Sequence, residues 1–204
     1  MLPPHSQETV ELFQRGLRNV KPHLPQGATV LDMGCGCGSL TLLAAQEVTD
    51  LRAKIYASDL LPEAVATTRL NLGRYGDVHG NSACIQIMPA GDLFQTVSTL
   101  RFELVIFNAP WVVSRARNRA EIAIHDEKQH TLRRFFGDLS NYLNPKGRVL
   151  IGYADASGAR AITRLEEMID AAGLTTSNRF KERVATHRTK RKWENITVYE
   201  LINE

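Results

Sequence analysis

Residues 28–38, Ala-Thr-Val-Leu-Asp-Met-Gly-Cys-Gly-Cys-Gly, carry an apolar strand straight into a glycine turn. Glycines at 34, 36 and 38 let the backbone pass close beneath a ligand where any side chain would collide. A dinucleotide fingerprint, G-x-G-x-x-G, needs its third glycine one residue later, where Ser39 stands. The spacing found, G-x-G-x-G with Asp32 two residues before it, disfavours NAD and NADP. Asp59 closes the second expected strand about 20 residues on, where a carboxylate accepts hydrogen bonds from both hydroxyls of a ribose. A third acid, Asp92, follows the third expected strand in Ala90-Gly91-Asp92-Leu93. Cys35 and Cys37 supply at most half a structural zinc site, and no nearby His or Cys cluster completes it, so no metal is expected.

In this order, Asp32, the glycines of 34–38, Asp59 and Asp92 resemble the successive S-adenosylmethionine (SAM) motifs of class I methyltransferases. The resemblance implies SAM as cofactor, with Asp32 near its methionine end, Asp59 on the ribose and Asp92 on the adenine amino group. Cys35, Leu60, Gly91 and Leu93, beside these acids and glycines, join the expected cofactor contacts. The implied fold is a Rossmann-like, doubly wound α/β sheet of seven strands in the order 3-2-1-4-5-7-6, with strand 7 antiparallel.

The fourth expected strand ends Phe107-Asn-Ala-Pro-Trp-Val-Val113. This resembles the Asn-Pro-Pro-Tyr motif of methyltransferases that act on planar nitrogens: release-factor and ribosomal-protein glutamines, and exocyclic amines of nucleic-acid bases. Such a nitrogen has a delocalised, weakly nucleophilic lone pair, so the site must orient it rather than deprotonate it. By the resemblance, the Asn108 oxygen and the Ala109 carbonyl accept the two N–H groups, Pro110 stiffens the turn and Trp111 stacks on the planar group. Asn108 also borders the cofactor. Ala109 stands where the family has proline, and Trp111 where it has tyrosine. His125 and His130 flank the start of an expected long helix near the site, but orientation of this kind needs no base, and neither is placed among the catalytic residues. Leu2–Leu12 is similar to the segment that precedes the sheet in glutamine methyltransferases and lies over the cofactor, which makes Thr9 a cofactor contact. The N-terminal helical domain with which bacterial release-factor enzymes hold their substrate has no counterpart.

These residues need a scaffold of alternating strands and helices. Val10, Phe13, Leu17 and Val20 share one face of an amphipathic helix over 6–20. Strands are expected at Ala28–Asp32, Lys54–Asp59, Ala83–Met88, Phe102–Asn108, Arg148–Tyr153, Leu174–Val184 and Asn195–Ile202. Helices are expected at Leu40–Val48, Pro62–Leu72, about Glu127–Leu143, and Ala159–Ala172. The turn Asn144-Pro-Lys-Gly147 should stop the long helix. Apolar strands between helices imply a parallel sheet covered on both faces. The last two strands, joined without a helix, should form an antiparallel hairpin at one edge.

With 204 residues and no repeat or linker, a single domain over 1–204 is expected, residues 1–25 forming a helical segment near the cofactor. No run approaches the ~18 apolar residues of a membrane span, and the N-terminus lacks a secretory pattern; a cytoplasmic setting follows. The net charge of +3 conceals an asymmetry: segments 115–119 and 181–193 hold nine of the 25 basic residues and one acid. Arg115, Arg117, Arg119 and the stretch Lys181–Lys192 thus suggest an acidic partner, nucleic acid included, or simply solvated loops. The expected activity is SAM-dependent N-methylation of a planar amide or exocyclic amine on a protein or nucleic acid. A small-molecule methyltransferase is the alternative. A non-catalytic SAM-binding module would have no use for the Asn108–Trp111 grip.

Overall fold

In the computed structural model, residues 6–75, 85–185 and 192–203 are described. Five helices, α1 (Ser6–Val20), α2 (Ser39–Glu47), α3 (Pro62–Tyr75), α4 (His130–Leu139) and α5 (Ala159–Ala171), flank seven strands. The strands are β1 (Thr29–Met33), β2 (Lys54–Ser58), β3 (Ile85–Ile87), β4 (Phe102–Asn108), β5 (Leu143–Ala154), β6 (Leu174–Ala185) and β7 (Trp193–Asn203). They form one sheet in the order β3-β2-β1-β4-β5-β7-β6. β7 runs antiparallel to both neighbours and the other pairings are parallel. This is the expected α/β architecture, including the edge hairpin. No helix among the described residues is long and apolar enough to cross a membrane.

The central strands are covered on both faces, and Leu104, Val105 and Ile106 are wholly buried. Such apolar runs suit a parallel sheet whose crossovers lay helices on each side. Alternation along β5 divides the two layers. A methyl group on Gly16 of α1 would touch Leu150, and one on Gly152 would strike Phe13 at 2.8 Å, so α1 lies on that face. Tyr153, one residue on, points the other way and meets Gln129 just before α4.

The expected long helix over Glu127–Leu143 is corrected by the structure. The Asp126 carboxylate accepts from the amides of Thr131 (2.8 Å) and Leu132 (3.1 Å), which starts α4 at His130. Before it, Lys128 and Gln129 both adopt left-handed backbone at φ 56. Gln129 is held there by burial and by donating to the Tyr153 hydroxyl (3.0 Å) and the Ala161 carbonyl (2.9 Å). Nor does Asn144–Gly147 terminate the helix, which ends at Leu139; those four residues are a bulge inside β5. Pairing with β4 passes from Phe102↔Leu143 to Leu104↔Arg148, and a bulge tolerates Pro145, which has no amide to donate. A side chain at Gly147 would lie 2.7 Å from the Asn144 carbonyl, so only glycine closes the bulge. Other boundaries agree within a few residues, with 83 and 84 of the third expected strand outside the described residues.

Candidate active site

The cleft opens at the C-terminal ends of β1, β2 and β4, the usual ligand position in an open α/β sheet. β1 ends in a turn where Gly34 (φ 69), Gly36 (φ 57) and Gly38 (φ 85) are left-handed, a conformation open to glycine at little cost. The Asp59 carboxylate fixes this turn, accepting from the Gly36 amide (2.9 Å) and the Leu61 amide (2.8 Å). From behind, α3 braces it: Thr68 donates to the Gly36 carbonyl (3.0 Å) and Asn71 to the Cys37 carbonyl (2.8 Å). Gly34, Cys35 and Gly36 form the cleft floor, and Asp59 and Leu60 its β2 side. Gly38 does not reach the cleft. It abuts Thr68, which a side chain would approach to 3.1 Å.

Asp32 also stands behind the floor. It is fully buried and accepts from the Thr41 hydroxyl, while its Oδ1 has no partner among the described residues. Burial, opposed only in part by the Thr41 hydrogen bond, pushes its carboxyl up to about 7. Burial and the neighbouring Asp32 push the Cys35 thiol up to about 12. Cys35 therefore fills the turn as a small neutral group and not as a thiolate.

Gly91, Asp92 and Leu93 form the third wall. A side chain at Gly91 would come within 2.4 Å of Thr96, so the chain passes here only as glycine. Asp92 pairs with Arg134 of α4 at 2.7 Å, both about two-fifths exposed. Leu93 is left-handed at φ 46, a strained conformation of the sort held at ligand sites. Thr9 and Val10 of α1 close the near end of the cleft. Residues 2–5 of the N-terminal segment lie outside the described residues.

At the far end stand Asn108, Pro110 and Trp111. The Asn108 side-chain oxygen is buried without a partner among the described residues. A side chain at Gly152 would come within 2.9 Å of that oxygen, so glycine makes the room for it. Ala109 is buried and off the cleft wall; its amide donates to the Gly152 carbonyl at 3.1 Å, extending the β4–β5 ladder by one bond. Proline could not donate that bond. Beyond it, the Ser157 hydroxyl accepts from the Val113 amide (2.7 Å) and donates to the Trp111 carbonyl (3.0 Å). Val112 pairs with His125 in a one-residue bridge. The loop that carries Trp111 is thus clamped on both sides.

Sequence reading singled out neither Ser157, an unremarkable serine before a glycine, nor Ile122 and Ala123, which line the cleft. His125 reaches the cleft, its Nδ1 2.8 Å from the Ser114 hydroxyl; His130 does not. Of the three arginines after the motif, Arg117 pairs with Glu121 (2.7 Å) and Arg119 with Glu63 (3.1 Å). Two of the three are therefore already matched within the chain.

The cleft, about 480 Å³, falls in the range of small-molecule and cofactor sites. A floor of two glycines and a small cysteine, a carboxylate on the β2 wall and a second on the β3 wall fit a nucleoside lying across the strand ends. The sheet order and the glycine turn after β1 define the Rossmann-like methyltransferase class. Residues 14–181 match the family described as Methyltransferase small domain, and the chain belongs to that family. Its cofactor is S-adenosylmethionine.

Over 86 residues the chain is 33% identical to the release factor glutamine methyltransferase of Dictyoglomus turgidum, a stretch of 42% of this chain and 28% of that enzyme. The chain thus spans little more than a quarter of that relative's length. Among solved structures it resembles precorrin-6y C5,15-methyltransferase from Geobacter metallireducens, with a TM-score of 0.61 at 13% identity over 94% of this chain and 88% of that one. It likewise resembles the N-methyltransferase NodS from Bradyrhizobium japonicum, with a TM-score of 0.61 at 16% identity over 98% of each chain.

Proposed function

We propose that the protein methylates a planar nitrogen, an amide or an exocyclic amine, on a macromolecular acceptor. The observation that carries this reading is the buried, unpartnered oxygen of Asn108 at the cofactor cleft. A buried acceptor left without a donor costs about 1–3 kcal/mol, so its place at a ligand cleft calls for a donor from the ligand. An N–H of the acceptor nitrogen meets that demand. Ala109, buried off the cleft wall, takes no N–H of the acceptor; Trp111 stacks on the planar group, its backbone fixed by Ser157.

S-adenosylmethionine supplies an electrophilic methyl group on a sulfonium. Asn108 aims the nitrogen lone pair along the line of displacement, with Trp111 holding the plane of the group. This is catalysis by orientation and fixed dipoles. On the cofactor side, we assign Gly34, Cys35 and Gly36 to the floor, Asp59 and Leu60 to the ribose, Gly91, Asp92 and Leu93 to the adenine, and Thr9 to the methionine end. Asp32 and Gly38 support this floor from behind. The release factor enzyme is named for glutamine methylation, in keeping with an amide acceptor.

A small-molecule acceptor is the second reading, favoured by the internal pairing of Arg117 and Arg119. Methyl-labelled cofactor, incubated with the protein and fractionated cell extract, separates the two. Macromolecular label should be lost to nuclease or to protease. Label that resists both and stays small would overturn the proposal.

A further inference from the structure

The β6–β7 hairpin projects beyond the sheet at the end where Asn108 lies. Pairing of β5 with β7 stops at Ala154↔Ile196, whereas β6 and β7 stay paired to Ala185↔Trp193, three residues further. At about 3.3 Å per residue the overhang is roughly 10 Å long. Its base is fixed by Asp155, whose carboxylate accepts from the Asn195 amide (3.0 Å) and side chain (2.7 Å).

Alternation along β6 places Arg179, Lys181 and Arg183 on one face, opposite Tyr199, Thr197 and Asn195 of β7. The Arg179 guanidinium lies 5.5 Å from the Tyr199 ring centre, and that of Arg183 lies 5.1 Å from Trp193. Trp193 is 48% exposed, whereas the chain's other tryptophan, Trp111, is 7% exposed. Arg179 is shared with Glu166 at 3.2 Å. Lys181 and Arg183 have no carboxylate partner among the described residues. Charges on an edge strand also discourage edge-to-edge pairing, but that purpose does not call for a half-exposed indole among them.

We propose that this face of the hairpin binds single-stranded nucleic acid, with Trp193 and Arg183 stacking on a base and Lys181 and Arg179 following the phosphates. Cations interleaved with aromatic rings recognise this chemistry, because every base has a π-face and the backbone is an even row of charge. The distance to the cleft suits it. Asn108 pairs with Gly152, and Gly152 with Val198, so Trp193 lies five residues further along β7. That is about 16 Å along the strands and, two strands away, about 10 Å across. The resulting ~20 Å lies within the reach of the 4–16 nucleotides that single-strand grooves commonly hold. The hairpin residues share the Tyr153 face of the sheet and the Asn108 side chain the Gly152 face, so a strand on the hairpin must pass round the strand ends to bring a neighbouring base to Asn108. This link to the reaction rests on the planar-nitrogen reading; the binding surface does not.

Fluorescence anisotropy of labelled 12-nucleotide RNA and DNA tests the surface. Wild-type protein should bind with an affinity that falls as salt rises. The double variant Lys181→Gln/Arg183→Gln should bind at least ten-fold more weakly, with the log–log salt slope flattened by about 0.7 per cation removed. Trp193→Ala should lose about 5- to 100-fold with little change in slope, as loss of stacking requires. Both variants should keep wild-type SAM affinity, showing that the fold is intact. Asn108→Ala should still bind the oligonucleotides in a hairpin-dependent way, with the same salt slope as wild type. Absence of binding by the wild type, undiminished binding by the hairpin variants, or tighter binding of duplex than of single strand would each overturn the proposal. Hairpin-dependent binding by an Asn108→Ala variant that still transfers methyl groups would leave the surface standing and contradict only the planar-nitrogen reading.

Discussion

Asp32 and Asp59, 27 positions apart, serve one turn in opposite ways. Asp59 answers the Gly36 and Leu61 amides while facing the cleft, so its carboxylate shapes the floor and remains open to a ribose. Asp59→Ala should therefore weaken SAM binding 10- to 150-fold, equivalent to about 1.5–3 kcal/mol for a charge-assisted acceptor. Calorimetry would check this, and unchanged affinity would refute the ribose assignment. Asp32 is buried, and its carboxyl is raised from 3.8 in the unfolded chain to about 7. Between those two values the folded protein holds the proton that the unfolded chain has lost. Stability should thus decline as pH rises across that window and level off above it. Urea denaturation at pH 5, 6 and 7.5 should show this decline in the wild type and a flatter profile in Asp32→Asn. Both acids were legible as a pair in the sequence. That one faces the cleft and the other stands behind it was not, because spacing fixes a residue's place on a strand and not how the turn beyond it folds back.

The elements were legible wherever apolar periodicity alone decided them. β4 and α1 keep their expected bounds because burial is unbroken from Leu104 to Phe107 in the strand and confined to one stripe of the helix. The start of α4 was not legible. It depends on Asp126 accepting two amides and on Gln129 held left-handed by Tyr153 and Ala161, residues 24 and 32 positions away. Ala109, a departure from the motif that the loop resembles, uses the amide that a proline would lack. The loop's rigidity comes instead from the ladder and from Ser157. Removing that hydroxyl leaves the Val113 amide and the Trp111 carbonyl without partners, at a cost of about 1–3 kcal/mol. Ser157→Ala should therefore speed hydrogen exchange at Val113 while leaving SAM affinity unchanged. Exchange as slow as in the wild type would show that the serine does not clamp the loop.

Across the whole molecule, the glycine turn after β1 and the Asn108 loop after β4 open onto one cleft at the same end of the sheet, where cofactor and acceptor are proposed to meet. Because the folded chain alone forms the cleft, saturation with SAM at 100 times its Kd should add about 2.7 kcal/mol of stability. For a chain near this size each kcal/mol moves the midpoint by about 2–4 °C, so thermal melts should rise by several degrees with SAM and stay unchanged with NAD. The charge asymmetry was plain in the sequence, but its division was not: Arg117 and Arg119 turn out to be paired, while Lys181 and Arg183 stand with an exposed tryptophan on the hairpin. Residues 186–191 of the basic stretch lie outside the described residues. The planar-nitrogen mechanism rests most directly on Asn108, and its measurement is methyl transfer from labelled SAM by Asn108→Ala beside the variant's SAM affinity. The account predicts transfer reduced by far more than ten-fold with SAM affinity within a few-fold of wild type. Transfer above about a tenth of wild type, a loss of less than ~1.4 kcal/mol of transition-state stabilisation, would contradict it.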